Sequence, residues 1–135
     1  MRKPVYFINK YHKSNYQRLL KINGPDKPEF NASAYILASI GIMQDTEGDI
    51  ANVEKHFLHN HIDYEALLTT LGNNPSDRAL IKLAANLFDS NNYANVSLTF
   101  APMDDIYQAV AYQALLLQYP SFSKTWDSRY PYSHG

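Results

Sequence analysis

The chain has 135 residues, of which 45% are hydrophobic and 19% charged, and its formal net charge is -1. This composition is typical of one folded domain with its own hydrophobic core, and it excludes a disordered chain or a membrane protein. The chain contains no cysteine, which excludes disulfide bonds, thiol catalysis and thiolate metal sites.

The charge is unevenly distributed along the chain. Residues 1–27 contain seven basic residues and one acidic residue, a net charge of +6, whereas the remainder contains five basic and twelve acidic residues, a net charge of -7. A basic N-terminal arm therefore leads into an acidic body. The absence of cysteine and of a signal-peptide pattern favours a cytoplasmic protein, either in a bacterium or inside a host cell.

The first predicted helix covers residues 5–22, with a short extended lead over residues 4–6 as an alternative start. Apolar side chains recur at helical spacing on one face of this segment. The opposite face carries the basic side chains of Lys10, Lys13, Arg18 and Lys21. A segment with one glycine and two prolines follows and ends the helix.

Three shorter segments predict the next helices. Residues 31–43 combine a broad apolar surface with small residues, which let a neighbouring helix approach closely. Residues 49–58 and 63–71 are amphipathic, and each begins at an aspartate that is suited to capping a helix.

Residues 75–88 form the most strongly marked helix. Asn74 is a suitable cap, Pro75 occupies the first helical position, and Asp77 places negative charge in the first turn. After Asp77, the polar side chains of this helix are confined to one narrow stripe at four-residue spacing, formed by Arg78, Lys82 and Asn86. A helix that is apolar on its other sides must be surrounded by other elements.

The last part of the domain contains a second long helix. Residues 94–100 alternate weakly between apolar and polar side chains and predict at most a short extended segment. Residues 102–118 begin with a proline and two aspartates, which suit a helix start, and their interior is almost continuously apolar. We expect the helices over 75–88 and 103–117 to pack side by side as the central pair.

These elements predict an all-α fold, a compact single-domain bundle of five or six helices. The helical domain is expected to cover residues 1–120, with an aromatic C-terminal tail over residues 121–135. In this tail, Trp126 and Tyr130 are candidate partner-binding residues, because tryptophan and tyrosine are common anchors of protein interfaces.

Three histidines, His56, His59 and His61, are candidate metal ligands. Neighbouring imidazoles, with carboxylates close in sequence, can hold zinc or another transition metal. Their spacing matches no established ligand motif, however, and histidine also suits the negative end of a helix dipole. A metal-dependent enzyme is therefore the third interpretation of the chain, and no cofactor is predicted.

The basic face of the first helix is a candidate binding surface. Lys10, Lys13, Arg18 and Lys21 can contact phosphates while neighbouring aromatic rings stack on bases, or they can contact an acidic protein. A solvated outer helix face explains the same charges, and the acidic remainder of the chain weakens nonspecific attraction to nucleic acid.

The sequence contains no catalytic constellation. It has no serine elbow motif, no glycine-rich phosphate loop and no cysteine nucleophile. Asp104 and Asp105 are adjacent carboxylates, but a helix start explains both, and adjacent helical residues point about 100° apart. No catalytic residue is predicted.

Four segments resemble short helical proteins of Gram-positive bacteria and their phages, which are classified as domains of unknown function. The segments follow one another in the same order and cover residues 5–16, 34–38, 78–88 and 98–105. The resemblance implies a small helical fold and an origin on a phage or mobile element. It implies no activity, cofactor or catalytic residue.

The leading functional prediction is a small noncatalytic protein that binds another protein, such as a host or defence factor. The alternative is a nucleic-acid-binding regulator that uses the basic first helix. No membrane association is predicted, and self-association of the chain stays open.

Overall fold

The computed structural model describes residues 5–23, 30–42, 48–58 and 61–119. Within these residues the chain is mainly helical, and it contains one two-stranded antiparallel hairpin. The elements in chain order are α1 Lys10–Asn23, α2 Asn31–Leu37, α3 Ile50–His56, β1 Phe57–Leu58, β2 His61–Ile62, α4 Tyr64–Leu71, α5 Pro75–Phe88, α6 Val96–Phe100 and α7 Asp105–Gln118.

The prediction of an all-α protein is confirmed in its broad form. The seven helices of the described residues exceed the predicted five or six, because the segment near residue 98 is helical and not extended. None of the described helices has the length and hydrophobicity required to cross a membrane. The predicted tail over 121–135 lies outside the described residues.

Helix α1 begins later than the predicted residue 5. The side-chain oxygen of Asn9 accepts hydrogen bonds from the backbone N–H groups of Tyr11 and His12, both at 3.0 Å. An asparagine in this position satisfies amides that have no partner within the helix, so the helix starts at Lys10. Residues 5–7 precede it without helical structure.

Helix α2 is the centre of the core. Residues 32–40, which include most of the helix and the turns that follow, are all buried. Helices α1, α5 and α7 pack against α2, and both α5 and α7 contact α2 more extensively than they contact each other. The expected contact between the two long helices exists, but the central element is the short helix between residues 31 and 37.

Helix α2 ends at Leu37, six residues before the predicted end at residue 43. Both the backbone N–H and the hydroxyl of Ser39 donate to the carbonyl of Ile36, at 3.0 and 2.6 Å. Gly41 then adopts a positive φ of 80°, which is unfavourable for residues with a Cβ atom. The chain therefore leaves the helix in buried turns, and the prediction of a longer helix is wrong.

A buried histidine joins α1 to the end of α2. The His12 side chain is 0% exposed, and its ring lies 4.6 Å from the ring of Tyr35, centroid to centroid. Its Nε2 lies 2.8 Å from the carbonyl oxygen of Tyr35, and the N–H of Ile8 donates to its Nδ1 at 3.1 Å. Because a carbonyl only accepts and an N–H only donates, the ring is neutral with its proton on Nε2.

The predicted helices over 49–58 and 63–71 are confirmed with one change. Helix α3 stops at His56, and Phe57 continues in an extended conformation and pairs with Ile62 across the hairpin. Helix α4 begins after Asp63, whose side chain accepts from the N–H of Ala66 at 3.1 Å, as expected for a capping aspartate.

The predicted start of α5 is confirmed, whereas α7 begins at Asp105, three residues after the predicted residue 102. The Asn74 side chain accepts from the N–H of Asp77 at 2.8 Å, with Pro75 in the first position of α5. The Asp104 carboxylate accepts from the N–H of Tyr107 at 2.9 Å and caps α7. Asp104 therefore has the structural role that the sequence indicates.

The prediction of an extended segment over 94–100 is wrong. The side-chain oxygen of Asn95 accepts from the N–H of Leu98 at 3.1 Å and starts the short helix α6. Residues 94–100 alternate too weakly to form a strand without a partner, and no other strand lies beside them in the described structure.

Acidification is expected to destabilise the fold through His12. Burial, only partly offset by the hydrogen bond to the Tyr35 carbonyl, lowers the pKa of His12 from 6.5 to about 4. The unfolded chain therefore binds a proton below pH 6.5 while the folded chain does not. This difference removes about 3 kcal/mol from the free energy of unfolding as the pH falls to about 4.

Urea unfolding at several pH values measures this loss. His12→Gln, which keeps a side-chain N–H donor, should flatten the dependence between pH 6.5 and 4. His61→Gln, at an exposed position, is the matched control and should keep the wild-type pH dependence. Equal pH dependence in wild type and His12→Gln would contradict the buried neutral imidazole.

Candidate functional site

A surface groove of about 240 Å³ lies beside the polar stripe of α5. One wall is α5, and the other is formed by the loop before α6 and by α6 itself. We call it the α5–α6 groove. Its lining residues are Pro75, Arg78, Ala79, Lys82, Tyr93, Ala94, Asn95, Leu98, Thr99 and Pro102.

Two asparagines hold the loop against α5. Asn86, the last member of the polar stripe, donates from its side-chain nitrogen to the carbonyl of Asn92 at 2.8 Å. Asn92 donates in return to the carbonyl of Ala85 at 3.1 Å. These two bonds turn the chain back along α5 after its C-terminal end, and they fix one end of the groove.

Hydrogen bonds between the starts of α5 and α7 fix the other end. The Ser76 hydroxyl donates to the carbonyl of Pro102 at 2.7 Å. The Tyr107 hydroxyl donates to the Asp77 carboxylate at 2.9 Å, and Asn74 donates to the same carboxylate at 2.8 Å. Burial, and then the charge of Asp77, raise the pKa of the Tyr107 hydroxyl, so it stays protonated as a donor.

Three large side chains are exposed in the groove or next to it in the chain. Tyr93, Val96 and Leu98 are 77%, 74% and 72% exposed, and we call them the apolar patch. Helix α6 buries Thr99 and places Phe100 against the core, so its remaining apolar side chains point to solvent. Tyr93 and Leu98 both line the groove, whereas Val96 lies two residues before Leu98 on α6, roughly 200° around the helix, and is outside the lining.

The charge of the groove is positive. Arg78 and Lys82 are exposed and line it, whereas none of its lining residues is acidic. In the described part of the chain, an ion pair forms between Arg18 and Glu54 at 2.5 Å, and neither residue lines the groove. Neither cation of the groove is therefore neutralised by a described carboxylate.

The groove is small, and the titratable side chains of its described lining are Arg78, Lys82 and Tyr93. Its volume is below the roughly 300–1,000 Å³ of typical small-molecule sites. One or two side chains of a protein partner fit this space better than a whole ligand.

A second groove, lined by carboxylates, has a structural explanation. Asp63, Glu65 and Asp89 line a depression next to His61. Asp63 caps α4, and Asp89 accepts from the N–H of Asn91 at 3.0 Å. Two of the three carboxylates, Asp63 and Asp89, are used by the local backbone, so the depression offers less free charge than its composition indicates.

The structure places two of the three predicted metal ligands. His56 is the last residue of α3 and His61 is the first residue of β2. His59 lies outside the described residues. In the described ranges, no three side chains of histidine, aspartate or glutamate are placed to hold a metal ion, and the three-histidine site stays an untested prediction.

The predicted basic face of α1 is only partly available. Lys10, Lys13 and Lys21 are exposed, but Arg18 is bound to Glu54. The Lys10 ammonium lies 5.1 Å from the centre of the Tyr11 ring.

Two of the aromatic rings that neighbour the basic residues in sequence, and that could have stacked on bases, are packed in the core. Phe7 and Tyr16 both pack against Tyr35, each with its ring centroid 5.8 Å away. The candidate tail residues Trp126 and Tyr130 lie outside the described residues.

The α5–α6 groove was missed by sequence reasoning. Arg78 and Lys82 were identified as a polar stripe but not as part of a site, and Leu98 was assigned to an extended segment. The available signal was Asn95, a good capping residue placed three residues before Leu98. A helix at that position exposes side chains that a strand packed on the core would bury.

The sequence matches one protein family. Residues 2–131 match the model of DUF6075, which is described as a family of unknown function. No curated protein and no solved structure matches the chain.

Removing the Tyr107 hydroxyl should weaken the contact between the starts of α5 and α7, which fixes one end of the α5–α6 groove. Tyr107→Phe deletes a hydrogen bond to a carboxylate and should lower the free energy of unfolding by about 1–2 kcal/mol. Tyr112→Phe, which removes an exposed hydroxyl from the same helix, should change it by less than about 0.5 kcal/mol. Urea unfolding measures both, and equal stability of the two variants would show that the bond to Asp77 contributes nothing.

Proposed function

For this chain, which belongs to the DUF6075 family of unknown function, we propose a noncatalytic role in binding another protein. The binding surface is the apolar patch together with the α5–α6 groove. The observation that carries the proposal is the exposure of Tyr93, Val96 and Leu98, each above 70%, with Tyr93 and Leu98 in the lining of a concave surface.

The energetic argument rests on these exposed side chains. Fully burying one side chain of the size of valine or leucine gains about 1.5–3 kcal/mol relative to leaving it in water. Tyr93 and Leu98, which both line the groove, supply a central apolar contact of the kind that dominates protein interfaces when a partner covers them together. The polar residues around the groove can form its rim.

The cellular setting belongs to the same proposal. The partner is a host or defence factor, and the chain acts in the cytoplasm of a bacterial or host cell as a protein of a phage or mobile element. This setting is supported by the sequence resemblance to small proteins of Gram-positive bacteria and their phages. The absence of cysteine is consistent with it.

Charges placed in the apolar patch should abolish partner binding. We expect immobilised wild-type protein to capture a specific protein from nuclease-treated host lysate, and the variant Val96→Asp/Leu98→Asp to lose it. Both residues are exposed, so the variant should fold. The measurement is quantitative mass spectrometry of the captured proteins.

Tyr112→Asp is the matched control, because Tyr112 is 57% exposed on α7, away from the groove lining. It should capture the same protein as the wild type. Capture of the same proteins by wild type and by Val96→Asp/Leu98→Asp would contradict the proposed surface.

Nucleic-acid binding through α1 is the second candidate, and the exposure of Lys10, Lys13 and Lys21 favours it. Replacing these three lysines with alanine should then abolish a salt-sensitive gel shift of DNA or RNA. Arg18→Ala is a suitable control, because it removes a charge that is already paired with Glu54. An unchanged shift in the triple variant would remove this candidate.

A further inference from the structure

We propose that the α5–α6 groove takes an acidic segment of the partner. Carboxylates of this segment pair with Arg78 and Lys82, while an apolar side chain beside them packs against Tyr93 and Leu98. The inference rests on the proposed function and adds the chemical class of the partner.

The positions of the two cations support a carboxylate ligand. Arg78 and Lys82 are four residues apart on α5 and therefore lie on the same face, about one helical turn from each other. Both are exposed, and both line the groove. Acidic residues spaced three or four apart on a partner helix can match this separation.

The charge of the groove differs from that of its surroundings. The chain after residue 27 carries a net charge of -7, yet the described lining of the groove contains two cations and no acid. The nearby Asp77 is bound by Asn74 and Tyr107, and Asp89 accepts a backbone hydrogen bond. The cations are thus available to a partner, in an otherwise acidic part of the protein.

The apolar lining favours a peptide over a nucleic acid. Alanine, proline and leucine side chains form much of the groove, and Tyr93 is the single aromatic ring among its described lining residues. Surfaces that bind single-stranded nucleic acid present several aromatic rings for successive bases along a track of cations. One ring and two cations beside aliphatic side chains instead match an acidic segment with an apolar anchor.

Selection from a random dodecapeptide library displayed on phage tests this inference on the full chain. Peptides selected on the wild type should be enriched in aspartate and glutamate next to a large apolar residue. Selection on Arg78→Gln/Lys82→Gln should lose the acidic enrichment. Lys10→Gln/Lys13→Gln, which removes two exposed cations from α1, is the matched control and should keep it.

The affinity for a fluorescein-labelled copy of the most frequent wild-type peptide measures how much the two cations contribute to binding. Because exposed ion pairs are weak and screened by salt, Arg78→Gln/Lys82→Gln should bind it about fivefold less tightly. About 0.5 M NaCl should weaken wild-type binding to a similar extent and have little effect on the variant.

The outcomes separate this inference from the proposed function. Peptides that lack acidic enrichment but lose binding in Val96→Asp/Leu98→Asp would overturn the inference and leave the protein-binding role intact. A selection in which no peptide depends on Val96 and Leu98 would contradict both. Displacement of the peptide by an oligothymidylate that requires Arg78 and Lys82 would assign the cations to phosphate and overturn the inference.

Discussion

The hydrogen bond between His12 and the carbonyl of Tyr35 is the constraint on which the rest of the structure depends. A helix leaves its last four carbonyls without partners inside the helix, and the end of α2 is buried where water cannot reach them. An unsatisfied buried carbonyl costs about 1–3 kcal/mol. Backbone amides of the following turn bond to the carbonyls of Ala34, Ile36 and Leu37.

Helix α1 supplies the remaining donors. His12 Nε2 satisfies Tyr35, and the side-chain nitrogen of Asn15 donates to the carbonyl of Ala38 at 3.4 Å. These two polar residues are buried on the apolar face of an amphipathic helix because α2 needs their N–H groups. These hydrogen bonds fix the orientation of α1 on α2, in addition to the apolar contacts between the two helices.

Hydrogen bonds of a buried serine connect the core to α5, which forms one wall of the groove. The buried hydroxyl of Ser33 on α2 donates to the carbonyl of Ala84 on α5 at 2.6 Å, and Tyr64 on α4 donates to Ser33 at 3.1 Å. These bonds fix α5 against the core, so the polar stripe faces outwards. The loop bound by Asn86 and the short helix α6 then complete the groove on that stripe.

The sequence predicted the elements that depend on local chemistry. The cap Asn74, the helix-start role of Asp104 and the four-residue spacing of the α5 stripe need only neighbouring residues, and the chain predicts all three. The short length of α2 was missed because Ser39 and Gly41 act in buried turns whose environment is set by other helices. The groove was missed because it requires α6 to return along α5, a tertiary arrangement that no local pattern encodes.

Helix α2 should be the most protected element, and α6, which has one buried residue, should be held more weakly. Native-state hydrogen exchange measures this difference directly, since protection reports the free energy of the opening that exposes each amide. The amides of residues 35–38 should exchange only through global unfolding, with the free energy that urea unfolding gives, and those of α6 through smaller openings. Amides of α2 that exchange as readily as those of α6 would contradict the central role of the buried helix.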